Sequence, residues 1–162
     1  MKRAALVFLV VLALAASAAA QNKFSGTAQC GKVEKQFTIE VGDRPGHAFT
    51  INQGKCVVTK GEIAGIQVKE AVWTGFDQFS GNTGRVRFSG FLATASGEKA
   101  YVRGEGTITL KEGALPTLES KWTFAGGTGK FKGLKGKGTP KCQLTADFTA
   151  TCEVEGQYEL PK

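Results

Sequence analysis

What most constrains this chain is its period. From Phe24 onward, apolar residues recur at every second position in short runs, and glycine or proline separates one run from the next. Phe24, Ala28 and Cys30 alternate with Ser25, Thr27 and Gln29; Phe37, Ile39 and Val41 alternate with Gln36, Thr38 and Glu40. Val86, Phe88 and Leu92 do the same against Arg85, Arg87 and Ser89. Val102, Ile108 and Leu110 form a further set, then Leu118, Trp122 and Phe124, then Cys152, Val154, Tyr158 and Leu160. Side chains on a strand point to its two faces in turn, so each set describes a strand with one buried face. A slip of one residue would send a whole set to the wrong side, so the register is well specified. No comparable stretch carries a helical period.

Turn chemistry falls between the runs. Asp43-Arg44-Pro45-Gly46 suits a type II turn, with proline presetting φ and glycine taking φ > 0. Asn52-Gln53-Gly54, Gly81-Asn82-Thr83-Gly84, Ser96-Gly97-Glu98 and Lys111-Glu112-Gly113 are further turn candidates. This divides the chain into roughly eight to ten strands. So much sheet needs closure or a second layer, because open edges invite aggregation. The expected fold is all-β: a single small antiparallel barrel of about eight strands, with a two-sheet sandwich as the alternative. All 22 glycines follow residue 20, and Gly90, Gly104, Gly106, Gly133 and Gly136 read as bulges and sharp bends.

The N-terminus reads differently. Lys2 and Arg3 precede an apolar run, Ala4 to Ala16, and then Ser17-Ala18-Ala19-Ala20. A charged start, a short apolar stretch and small residues at a cleavage site describe a secretory signal peptide. Residues 1–20 are therefore expected to be the leader and 21–162 one barrel domain, periplasmic or secreted, with no membrane span after cleavage. Losing the leader takes two basic residues off the formal charge of +7 and leaves +5. With 41% hydrophobic and 22% charged residues, the chain is not of the disordered class. An outer-membrane barrel would need an apolar outer band with tryptophan and tyrosine girdles. Here the alternate face is charged or threonine-rich, and there are only two Trp and two Tyr.

Four cysteines, Cys30, Cys56, Cys142 and Cys152, follow the leader. An even number behind an export signal reads as disulfides, and four cysteines allow three pairings. Cys142 and Cys152 flank a hairpin-like segment and both fall on the apolar register, which favours Cys142–Cys152 with Cys30–Cys56. The rival is a metal site of all four thiolates, but the closely spaced pairs usual for zinc are missing. With a single histidine besides, no metal and no cofactor is expected.

The stretch from Trp122 to Thr139 contains Gly126-Gly127-Thr128-Gly129-Lys130-Phe131 followed by a glycine-rich strand. It resembles a hairpin that recurs in allene oxide cyclase-like and dirigent-like β-barrels. The longer frame resembles small, uncharacterised bacterial secreted proteins. It does so through Gly46-His47-Ala48-Phe49, Gln53-Gly54-Lys55-Cys56 and the ending from Glu155 to Leu160. The resemblance implies a barrel fold and a periplasmic home. No cyclase active-site residue matches, so it implies no activity.

Four features could carry function. The glycine-rich stretch fits neither the phosphate-loop nor the dinucleotide pattern and no helix follows it, so it reads as a tight turn and bulged strand. Lys130, Lys132, Lys135 and Lys137, with Lys141, could contact anionic polymers, or form a solvated face that blunts edge pairing. Nucleic acid is not expected, since a single aromatic, Phe131, lies within that stripe. His47 could act as a general base with Asp43 or Glu40. The aromatics Phe24, Phe37, Phe49, Phe88, Trp122, Phe124 and Tyr158 share the inward register and either fill the core or line a cavity for a small apolar ligand, with Phe37, Phe88, Trp122, Phe124 and Tyr158 as the candidate lining. Three functions follow: a non-enzymatic binding or structural barrel, which leads; an isomerase- or cyclase-like enzyme acting on an apolar ligand in the barrel; and an envelope-surface protein using the lysine stripe. No catalytic residue is assigned.

Overall fold

A computed structural model describes residues 21–161, and within them the alternating runs become nine antiparallel strands. The expected leader, residues 1–20, lies outside the described residues. The strands are β1 (Asn22–Cys30), β2 (Lys35–Glu40), β3 (Ala48–Ile63), β4 (Ile66–Ser80), β5 (Thr83–Thr94), β6 (Lys99–Thr109), β7 (Thr117–Gly127), β8 (Lys135–Leu144) and β9 (Ala150–Glu159). From β3 to β9 each strand pairs with the next, β9 pairs with β1, and β1 closes the ring onto β3. The result is an eight-stranded barrel with β2 as an extra strand.

The length of β3 makes this possible. Its second half pairs with β1, Cys56 opposite Cys30, and its first half pairs with β2, Gln53 opposite Lys35. One edge of a single strand thus takes two partners in succession. The Asn52-Gln53-Gly54 turn expected from sequence is therefore absent; β3 runs straight through it. The reason is steric: a Cβ at position 54 would lie 2.6 Å from the Trp73 indole, so this glycine makes room for a ring rather than for a turn. The glycines expected at bulges need the same correction. The register shifts fall near Thr27, Val57, Val68 and Ala100, and none falls at Gly90, Gly104, Gly106 or Gly136. A side chain at Gly104 would strike Phe88, and one at Gly138 or Gly156 would strike Trp122. Inward aromatics lie flat over glycines of neighbouring strands, which holds the rings against the barrel wall. Gly133 lies in a turn at φ +75°.

One end of the barrel is filled. Phe24, Ile63, Val68, Ala100, Trp122, Phe124, Phe131, Leu134 and Tyr158 form one buried cluster. Phe131 and Leu134 are wholly buried, and each contributes about 2–3 kcal/mol by burial. They are delivered by the glycine-rich connection between β7 and β8, a single 3-10 turn at Gly129–Phe131. The Thr128 amide donates to Lys99 O (2.8 Å), the Lys99 amide to Thr128 Oγ1 (2.8 Å), and the Lys130 amide to Glu98 Oε1 (3.0 Å). The turn's amide is thus occupied by the protein's own carboxylate. At the same end the Ala64–Gly65 turn has both residues at positive φ, the geometry of a tight hairpin, and the Ala64 amide donates to Tyr158 Oη (2.8 Å).

Two disulfides brace the other half of the ring. Cys30–Cys56 joins β1 to β3, and Cys142–Cys152 joins β8 to β9; both pairs stand directly opposite in the ladder. All four cysteines are consumed, so no thiolate is left for a metal.

Candidate functional site

Above the filled end the barrel is hollow. Its lumen is a cavity of about 580 Å³, walled chiefly by apolar side chains that include Trp73, Phe88, Val102, Ile108 and Trp122. It opens at the end where β2 extends past the ring. There Lys32, between β1 and β2, makes a 3.0 Å ion pair with Asp147 in the β8–β9 loop. The Thr145 hydroxyl also donates to Asp147, and together with the Lys32 ammonium it holds that carboxyl far below its usual range. The next residue, Phe148, lies at the rim with φ +60°, a conformation uncommon for a bulky side chain.

The lumen is not uniformly apolar. Thr50 and Asn52 on β3, and Asp77 on β4, are buried on its wall near the mouth. Asn52 Nδ2 donates to Asp77 Oδ2 at 2.6 Å, and Thr50 shares a 3.0 Å hydroxyl contact with Thr38 of β2. Burial raises the Asp77 pKa above the ordinary 3.8, and the hydrogen bond from Asn52 pulls the other way. Position 75 must be glycine for this, since a Cβ there would overlap Asn52 Oδ1. Ser120 and Trp122 project from β7. Among the described residues, Asn52 Oδ1, Ser120 Oγ and Trp122 Nε1 are buried in the wall without a hydrogen-bond partner. β7 is four strands from β3 in either direction round the ring, so these groups stand on opposite walls.

The residues singled out from sequence go to different places. Phe88, Trp122 and Phe124 line the lumen, the latter two also forming its floor. Tyr158 belongs to the packed floor, with its hydroxyl turned to the Ala64 amide. Phe49, expected inward, stacks instead on Phe76 on the outer face, and Phe37 does not face inward at all. It is 65% exposed on β2, beyond the rim, where both faces of the strand meet solvent. Phe37, Ile51 and Phe76 form a row across the outer face of β2, β3 and β4. Alternation sets two faces apart, but a strand outside the closed ring has no core for its apolar face to enter.

Lys135, Lys137 and Lys141 are exposed on β8, with Lys130 and Lys132 in the preceding turn. In the register with β9, Lys135 stands opposite Glu159 and Lys141 opposite Glu153, with Glu155 between them on the same face. The basic stripe therefore lies against an acidic one, which leaves little single-sign field for an anionic polymer.

His47 is buried, not exposed as its Pro-Gly turn suggests. Its Nδ1 contacts Asp43 Oδ1 at 2.5 Å, and Gln78 Nε2 stands 3.0 Å from Nε2. With Nδ1–H donated to Asp43, Nε2 accepts from Gln78. The same contact lowers the Asp43 pKa. His47 thus ties the β2–β3 turn to β4 on the outer side of the barrel, away from the lumen.

Asn52, Asp77 and Ser120 escaped the sequence reading. The available signal was Ala71, Trp73, Gly75, Asp77 and Phe79, one register with an acid on the apolar side. An acid there is unusual enough to mark a site.

No family model and no curated protein matches the sequence. Solved structures do match in shape. A conserved protein of unknown function from Rhodopseudomonas palustris superposes with a TM-score of 0.55 at 12% identity, covering 85% of this chain and 97% of that one. The pterocarpan synthase dirigent protein PsPTS1 gives a TM-score of 0.53 at 12% identity, covering 88% of this chain and 96% of that one. A second pterocarpan synthase dirigent protein, GePTS1, gives 0.51 at 12% identity, covering 87% and 89%. At that identity the likeness concerns fold alone. The chain has the dirigent-type, allene oxide cyclase-like barrel that its Gly-Gly-Thr-Gly hairpin resembles.

Proposed function

We propose that this is an exported, disulfide-braced barrel whose lumen holds a small apolar ligand. The observation that carries the reading is the cavity of about 580 Å³, open at one end, within the size range of small-molecule pockets. Export rests on Lys2, Arg3, the apolar run to Ala16 and the small residues before Gln21, and the two bridges fit an oxidising compartment. Secreted material should begin at or near Gln21 on N-terminal sequencing.

Binding is tested by titrating the oxidised protein with hydrophobic dyes and following tryptophan emission. Both Trp73 and Trp122 border the lumen, so Trp73→Phe isolates the deeper indole. A saturable change in emission supports the reading, and no response across a panel of apolar probes removes it.

A second reading has one specific observation behind it. Asp77 is a carboxyl whose pKa burial raises, set beside an apolar cavity, the arrangement of a general acid. The dirigent neighbours are described as pterocarpan synthases, and an isomerase- or cyclase-like activity here would run through Asp77. Turnover of a bound ligand that is lost in Asp77→Asn, with binding retained, is the result that supports it.

A further inference from the structure

Among the described residues no cation on the lumen wall meets Asp77, and that carboxyl indicates what the ligand carries, an inference that rests on the lumen being a ligand site. Asp77 is 8% exposed and borders the cavity, so the little surface it keeps faces the lumen. Its Oδ2 accepts from Asn52 Nδ2 at 2.6 Å. Oδ1 takes no hydrogen bond from a described residue and, unlike Asn52 Oδ1, is not sealed into the wall. A carboxylate can accept about four hydrogen bonds, and the wall supplies one.

The neighbours bring no positive charge. Thr50 stands opposite Asp77 on β3 and Val86 opposite it on β5. The lysine that borders the cavity, Lys32, is engaged with Asp147 at the rim at 3.0 Å, so that pair sums to zero and Asp77 sets the sign of the lumen. Farther out on the same sheet face, two residues beyond Thr38, the exposed Glu40 adds a second negative charge to the approach. A carboxylate held against apolar walls with one donor is costly. Either a proton or a cation brought in from outside relieves it. A ligand ammonium supplies charge and N–H donors together, and such a charge-assisted bond is stronger than one from a neutral hydroxyl. An anionic head would meet like charge.

We propose that the lumen selects lipophilic amines, with an apolar body against the walls and floor and a protonated nitrogen donating to Asp77 Oδ1. The ligand class is that of amines on an alkyl or aromatic body, not of fatty acids.

The test is displacement of Nile red, a neutral hydrophobic dye, from the oxidised protein at neutral pH by octylamine, octanol and octanoate. Octylamine should bind roughly tenfold tighter than octanol, with octanoate weakest. Asp77→Asn keeps the shape of the side chain and removes its charge. It should reverse the order of amine and alcohol and change octanol by less than about twofold. Glu40→Gln should leave the order as it is, which separates the lumen carboxyl from general attraction at the approach. Should Asp77→Asn fail to fold, the ranking on the unaltered protein still decides. Octanol or octanoate binding as tightly as octylamine, or an amine preference that survives Asp77→Asn, overturns the proposal and leaves the lumen a ligand site. A dye that never enters defeats the ligand reading itself.

Discussion

The two ends of this barrel are built from the same strands and stabilised by different means. At the floor, Phe131 and Leu134 are inserted from the β7–β8 connection, and the ring closes over a packed cluster with Ile63, Val68 and Tyr158. Among the described residues, none plugs the mouth in this way. The wall carries Asn52 and Asp77, the rim is joined by the Lys32–Asp147 pair, and both disulfides lie in this half of the ring. A hollow stretch of barrel forgoes the apolar burial that holds the floor, and covalent links between adjacent strands offset the loss by restricting the unfolded chain. The difference teaches where function can sit: a packed end has no room for a ligand, and a braced hollow end has both room and rigidity.

The largest expected break in that comparison comes from the floor. Leu134→Ala should lower stability by about 2–5 kcal/mol in urea unfolding of the oxidised protein, since a wholly buried side chain leaves a cavity. Phe148→Ala at the rim, where the ring is partly exposed, should change it by under about 1 kcal/mol. Equal effects at the two positions would mean that the mouth is packed as tightly as the floor.

Next come the bridges. The Cys30–Cys56 link closes a separation of 26 residues and Cys142–Cys152 one of 10, so removing either should cost about 3 kcal/mol, slightly more for the first. Hydrogen exchange should quicken mainly in the mouth halves of β1, β8 and β9, with the floor still protected. Uniform loss of protection would show that the two ends unfold as one unit.

A smaller effect comes from Asp77. Its folded pKa lies above the unfolded value, so the folded state holds the proton more tightly. The stability this contributes is full below the unfolded pKa, near 3.8, and is lost as pH rises through the raised folded value. Asp77→Asn should remove that decline. Its stability relative to the native protein should grow from about pH 4 toward neutrality, measured by denaturant midpoints across pH. A native protein that instead gains stability over this window relative to the variant would place an unrecognised cation beside Asp77.

The smallest effects belong outside the ring. Phe37→Ser on β2 and Lys32→Ala at the rim should each shift stability by about 0.5 kcal/mol or less, because neither side chain is buried. A large loss in Phe37→Ser would mean that the outer row with Ile51 and Phe76 is covered in the folded protein.

Period and spacing determined much of this protein. Alternation of apolar residues with threonine and charge specifies strands, and glycine and proline at Asp43–Gly46 and Gly81–Gly84 specify where several turn, because both are local properties of a few consecutive residues. Tertiary structure alone decided the rest. Phe37 and Phe88 look alike in sequence, yet one strand lies in the ring and the other beyond it. Gly54 looks like a turn residue until Trp73 is placed beside it. Whether a barrel is filled or hollow depends on rings and glycines brought together from strands far apart in the chain. The pairing of Asn52 with Asp77, and their position across the lumen from Ser120 and Trp122, follows from closure of the ring, which no local pattern records.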